Sequence, residues 1–240
     1  MSTTFLQAVN KVMRNTRNDQ VGSVSSSEFA LMVGQYINKA KDKVEDAWSW
    51  RQNIVELQFN TVASQQTYFL DAVGTTPVIS TSVAGRFCTD RAYLARDTHY
   101  NAQVFDITSG VTPYRLKELT RENQVTQSRI LGTTGGISVP VAFSYTREGG
   151  RETFTLADLP VAGRTISARF HIPQDDLNAD SDIIVVPWRP IVTMTTAMLY
   201  AERGEELGPS PINWTQYAED ELARAIANEI ESDYLVMEPV

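Results

Sequence analysis

A chain of 240 residues with 42% hydrophobic side chains is long enough for one large domain or two modest ones sharing a core, and disorder is not its default state. Its net charge of −8 is unevenly spread: residues 1–51 hold seven Lys or Arg against five acids, net +2, whereas 202–240 hold two Arg against ten acids, net −8. An acidic end of this kind repels phosphate rather than gripping it, and a merely solvated helix surface is the plainer reading of the same charges. From the front, Thr4 and Gln7 have capping-box spacing before an apolar stripe of Phe5, Val9, Val12 and Met13, which predicts a helix through about Arg14. The polar stretch 15-NTRNDQVGSVSSS-27 reads as a loop, and Ser25 with Glu28 as a second capping box. From there Phe29, Val33, Tyr36, Ala40, Val44, Ala47 and Trp48 recur at helical steps, with Lys39, Lys41, Asp42, Lys43, Glu45 and Asp46 on the other sides.

At Ile54 the period changes. Val55, Leu57 and Phe59 alternate with Glu56 and Gln58, the pattern of a half-buried strand, and 67-TYFL-70 supplies a return strand, which predicts a hairpin. Trp48 and Trp50 fall at this change of period, where both rings can bury at the seam between helix and sheet. Further strands are expected at 86–95, 102–107, 113–119, 139–146, 151–157, 164–172 and 183–186, and a weak helical pattern covers 120–130. After 187-PWRP-190 the helical period returns, with Ile191, Met194, Met198 and Ala201 on one face and Gly208–Pro209 as a stop. A last helix from about Asn213 turns Trp214, Tyr217, Ala218, Leu222, Ala225, Ile226 and Ile230 inward, and Glu219, Asp220, Glu221, Arg224 and Glu229 outward.

The order of elements predicts an α+β fold. Neither helix pair can bury its stripe alone, so residues 1–51 and 187–231 are expected to pack as one antiparallel helical bundle. An antiparallel β sandwich or barrel-like domain, 52–186, is inserted between them, and 232–240 forms a C-terminal arm.

Chemistry is sparse. Cys88 is the only cysteine, which excludes an internal disulfide and a multi-cysteine metal site; His99 and His171 are the only histidines and read as hydrogen-bonded scaffold residues. Asp176, Asn178 and Asp180 copy the first three ligands of a calcium loop, but Ser181 stands where the turn glycine belongs and Pro187 where the bidentate Glu belongs. The cluster 132-GTTGG-136 lacks the Lys-Ser/Thr of a phosphate loop. No catalytic residues, cofactor or metal are expected. No run approaches the roughly 20 apolar residues of a membrane span, and Met1–Gln20 lacks a signal peptide's basic start and apolar stretch, so a cytosolic origin is expected.

The N-terminal helix, the long helix ending in tryptophans, the strand with its 68-YFL-70 return, and the 202-ERGE-205 helix ending followed by an Ala-rich helix together resemble the head-to-tail adaptor proteins of short-tailed bacteriophages, also called tail-tubular or head-completion proteins. The resemblance covers about residues 4–70 and 187–231. It implies a virion structural protein of the neck, assembled in the host cytoplasm: a dodecameric ring of this chain under the portal, its helical part toward the portal protein and its β part toward the tail nozzle protein. Genomic DNA would pass through the channel without sequence-specific binding. It implies subunit contacts at Arg203 and Glu205, and an arm whose Tyr234, Leu235, Val236 and Met237 bury on the portal or on a neighbouring adaptor. Two other classes stand beside it: a glycan- or receptor-binding β module, if Tyr93, Tyr100, Tyr114 and Tyr145 line one groove, and a small hydrolase, if Asp175, Asp176, Asp180 and Asp182 converge.

Overall fold

The computed structural model describes residues 3–71, 78–80, 92–96, 101–120, 139–148, 151–157, 159–203 and 211–234. The chain forms two compact units, Met1–Gln52 with Asp176–Val240, and Asn53–Asp175. The fold is α+β. The strand expected at 86–91, the helix at 121–130, and Cys88, His99, Tyr100, Glu205 and Leu235–Met237 lie outside the described residues.

In the first unit, a helix α1, Phe5–Asn15, begins at Thr4 with the expected capping box: the Thr4 side chain accepts from the Gln7 N–H and the Gln7 side chain from the Thr4 N–H. The Phe5 and Leu6 N–H groups donate to the Asp182 and Asp180 carbonyls, so the first turn leaves few orphan donors. The second helix α2, Glu28–Ala47, starts differently from the expectation. Val24–Ser26 form a 3-10 turn, and the cap is Ser27, whose hydroxyl accepts from the Ala30 N–H at 3.1 Å. Glu28 therefore opens the helix rather than closing a capping box with Ser25. Gly34 lets α1 approach this helix, because a Cβ there would stand 2.9 Å from the Phe5 ring.

The helix α3, Trp188–Arg203, comes from the far end of the sequence and packs on α1 and α2. Its expected single face is wider: Ile191, Val192, Thr195, Thr196 and Leu199 are buried, and Ala201 is exposed. Two threonines meet the interior without a lost hydrogen bond, since Thr193 and Thr196 donate to the Arg189 and Val192 carbonyls one turn back. The last helix α4, Pro211–Tyr234, lies along α3 and includes residues 232–234 of the expected arm. One core joins both ends of the chain, with Val9, Val12, Val33, Ile37, Val44, Ile191 and Leu199 inaccessible to solvent. Each such side chain contributes about 1.5–3 kcal/mol in burial.

Among the described residues the second unit holds ten strands, β2 to β11. A sheet of β2 (Ile54–Asn60), β11 (Thr165–His171), β6 (Val104–Asp106) and β7 (Tyr114–Arg115) runs in that order, with β5 (Tyr93–Leu94) also on β11. The other runs β4 (Val78–Ser80), β3 (Thr67–Asp71), β10 (Arg151–Leu156), β9 (Ala142–Glu148) and β8 (Lys117–Glu118). Pairing is antiparallel except for β3 with β4 and β8 with β9.

The expected β2–β3 hairpin is absent, because the two strands belong to different sheets. β2 pairs along its whole length with β11, from Ile54 opposite His171 to Asn60 opposite Thr165. Thr61 is then clasped by the turn at Gly163 (φ +78°), its hydroxyl donating to the Val161 carbonyl at 2.6 Å, so the chain crosses to the other sheet before β3 begins. The alternating apolar residues of both strands serve one core all the same: the Phe59 and Tyr68 rings meet across the sheets at 4.7 Å. The segment 183–186, expected with the β region, supplies β12 (Ile183–Ile184), which pairs with β1 (Thr3–Thr4) in the helical unit. Ile184 and Val186 enter the helical core.

Candidate binding face of the helical unit

Three elements of the helical unit converge on Trp188. It opens α3 directly after Pro187. The ring is half-buried against the core. Lys11 and Arg14 are one turn apart on α1, off the buried stripe, and the Lys11 ammonium lies 3.3 Å from the centre of the Trp188 ring. The Arg189 guanidinium is 5.7 Å from the same ring. Two cations therefore share one indole, an arrangement that stabilises by about 0.5–2 kcal/mol per contact.

Burial, followed by the charges of Arg14 and Arg189, pushes the Lys11 ammonium below its ordinary value. Among the described residues neither arginine forms an ion pair. The cations repel one another, and an anion placed among them would relieve that repulsion.

Aromatic side chains continue the surface across α3 and α4. Tyr200 stacks on Trp214 at 6.2 Å, Trp214 meets Tyr217 edge-on at 6.0 Å, and the Tyr200 hydroxyl donates to the Asn15 carbonyl that ends α1. Two grooves flank Trp188 and Arg189. One, of about 420 Å³, is walled by Lys11, Arg14, Trp214 and Tyr217; the other, of about 580 Å³, by Pro190, Arg224, Ala225 and Asn228. Both are of the size that takes a short peptide side-chain cluster or a small molecule. Glu221 reaches both grooves and is neutralised by Arg224 at 3.1 Å.

No protein-family model matches the chain, and no curated protein matches it.

The residues fall out differently from the sequence reading in several places. Trp50 is fully buried in the helical core, its indole N–H donating to the Val44 carbonyl at 2.7 Å, whereas Trp48 is half-buried beside it. Tyr217 and Ile230, expected inward, are 46% and 36% exposed, while Glu221 and Glu229, expected outward, are buried. The two acids are tolerated inside because they are satisfied, Glu221 by Arg224 and Glu229 by the Arg51 N–H at 3.0 Å. Lys41 and Glu45 were likewise expected outside. Both side chains are fully buried and lie 3.6 Å apart, and Lys41 is also 3.2 Å from Asp42.

The calcium-loop aspartates do not converge. Asp180 accepts from the Val24 N–H, which with Ser23 holds its carboxyl below the ordinary range, and Asp182 accepts from the Asn178 and Ala179 N–H groups. They brace a loop, and no metal-binding cluster is present among the described residues. Nor do the described tyrosines of the β unit share a groove. Tyr93 stacks on the buried His171 at 4.5 Å, Tyr145 packs on Phe170, and the Tyr114 hydroxyl lies 2.7 Å from the Pro140 carbonyl.

Arg203 ends α3, and Tyr234 ends α4. The Trp188 face itself was not singled out in the sequence. Its signals were a tryptophan between two prolines at a helix start and the Lys11–Arg14 spacing, each too common alone to mark a site.

Proposed function

We propose that this chain is a structural head-to-tail adaptor of a short-tailed bacteriophage, without enzymatic activity. It forms a dodecameric ring that joins the portal protein to the tail nozzle protein and continues the DNA channel. The observation that carries this reading is the way the chain is divided: helices from residues 5–47 and 188–234 share one core, and residues 53–175 form a second compact unit, rich in strands among its described residues, inserted between them. A module whose two ends close on one another holds an inserted domain by both of its strands, which suits a part that must transmit load between two partners. On this reading the helical unit is an antiparallel bundle facing the portal, and the β unit, whose two sheets contribute to one core, is a sandwich facing the nozzle.

Arg203 and Glu205 make subunit contacts, and the arm carrying Tyr234, Leu235, Val236 and Met237 holds each subunit in the ring, on the portal or on its neighbour. Burying those four side chains contributes several kcal/mol at about 25 cal/mol per Å² before ordering costs. Deleting residues 232–240 should leave the protein folded, with an unchanged circular dichroism melt, and abolish its binding to heads that display a portal. A truncated protein that still fills the portal positions contradicts the reading of the arm.

A further inference from the structure

We infer that the groove walled by Lys11, Arg14, Arg189, Trp188, Trp214 and Tyr217 is a docking site for an acidic, apolar peptide, and that its occupant is residues 231–240 of a second copy of this chain. The inference rests on the adaptor reading only in giving the arm a partner. The groove itself is independent of that reading.

Charge complementarity comes first. Three cations line a groove of about 420 Å³ whose one carboxylate, Glu221, is already held by Arg224. The segment 231-ESDYLVMEPV-240 carries Glu231, Asp233 and Glu238 with no basic residue, and places Tyr234, Leu235, Val236 and Met237 among them. Apolar side chains between carboxylates match aromatic walls between cations. The lowered affinity of Lys11 for its proton has burial as its largest cause and the neighbouring arginines as the next, and that second part is the repulsion an incoming carboxylate would remove.

Reach then separates one copy from another. The groove is bounded on α4 by Trp214, Tyr217 and Glu221, and that helix runs on to Tyr234. Thirteen residues at about 1.5 Å each set Tyr234 about 20 Å along the axis from Glu221. Leu235, Val236 and Met237 reach at most about 11 Å beyond Tyr234 even when fully extended, so these apolar residues fall short of their own groove. The same residues on a neighbouring subunit face no such limit. A contact between the groove of one copy and the arm of the next is head-to-tail, the kind of interface that builds a closed ring.

The test is a titration of the full chain into a fluorescein-labelled peptide of sequence 231–240, followed by anisotropy. Saturable binding is expected, weakened at least tenfold in an Arg14→Glu, Arg189→Glu double variant whose thermal melt is first checked. A peptide with Glu231, Asp233 and Glu238 changed to Lys should bind the double variant better than it binds the unmodified protein. This reciprocal rescue cannot arise from misfolding. Failure to saturate, equal affinity for both proteins, or displacement of the peptide by an oligothymidine of equal charge would overturn the inference, the last by making the face a nucleic-acid site. Loss of portal binding would leave this titration unaffected, and a flat titration would leave portal binding unaffected, so the two readings fail separately.

Discussion

The two units bury charge in different places. In the helical unit Lys41 and Glu45 sit in the C-terminal half of α2, one turn apart and fully buried, at positions where the charged residue types suggest an outer face. In the β unit Glu152, near the start of β10, is buried beside Arg147 at 3.7 Å, and the more deeply buried acid among the described residues is Asp106, at the last position of β6, where the chain is about to turn. Its carboxylate accepts from the Thr108 N–H and hydroxyl at 3.0 and 2.6 Å and from the Arg164 guanidinium at 2.7 Å, with the Tyr114 hydroxyl 3.1 Å away. This one group ties β6, β7 and the start of β11 together. A strand end can recruit donors from a turn and from neighbouring strands. A carboxylate beyond the first turn of a helix depends on side chains, because the helix's own N–H groups are already used.

The comparison breaks first at α2. Replacing either Lys41 or Glu45 alone by Ala should cost about 3–5 kcal/mol, because a charge is left in the interior, while Lys41→Met with Glu45→Leu should recover most of that loss. Denaturant unfolding of the three variants checks it. Equal losses for single and double variants would mean that the pair is not the unit of burial.

Nearly as large is the expected effect at Trp50. Trp50→Ala should cost about 3–5 kcal/mol through a cavity and a lost indole hydrogen bond, and Trp48→Ala distinctly less. The same unfolding experiment ranks the two. A larger loss at Trp48 would contradict the burial described here.

The smallest effect concerns Asp106 and sharpens the contrast with α2. Burial opposes its ionisation, but the bonds from Thr108 and the Arg164 guanidinium prevail and hold the carboxyl below its ordinary value of 3.8. Because the folded value is the lower one, the stabilisation is fully present above the unfolded value and is lost as pH falls below 3.8 through the folded one. Asp106→Asn should cost about 1–3 kcal/mol at neutral pH and flatten the stability profile in that acidic window. An unaltered acid limb in the variant would locate the pH dependence elsewhere.

These same residues explain what was legible in the sequence. The caps and apolar periods of α1 and α2 are local signals, and the strands β2, β3, β9, β10 and β11 follow from local alternation. Which strands pair is not local. Val55, Leu57 and Phe59 look the same whether their partner is β3 or β11, and the choice is made by contacts such as Thr61 with the turn at Gly163. Buried charge fails for a related reason. A period read from apolar residues assigns Lys41, Glu45, Glu221 and Glu229 to the surface by residue type, and only their partners in space reverse that. Of the candidate face, Trp188 and the Lys11–Arg14 spacing were visible singly, but their convergence depends on α1 packing against α3, elements more than 170 residues apart in sequence.

The central claim, a ring adaptor that closes on a portal, is tested most directly by mass photometry of the purified chain alone and mixed with the portal ring of the same virus. The account predicts a monomer alone at low micromolar concentration, and a discrete complex heavier than the portal by one dodecamer of this chain. A portal peak of unchanged mass, or a closed ring of this chain formed in the absence of portal, would contradict it.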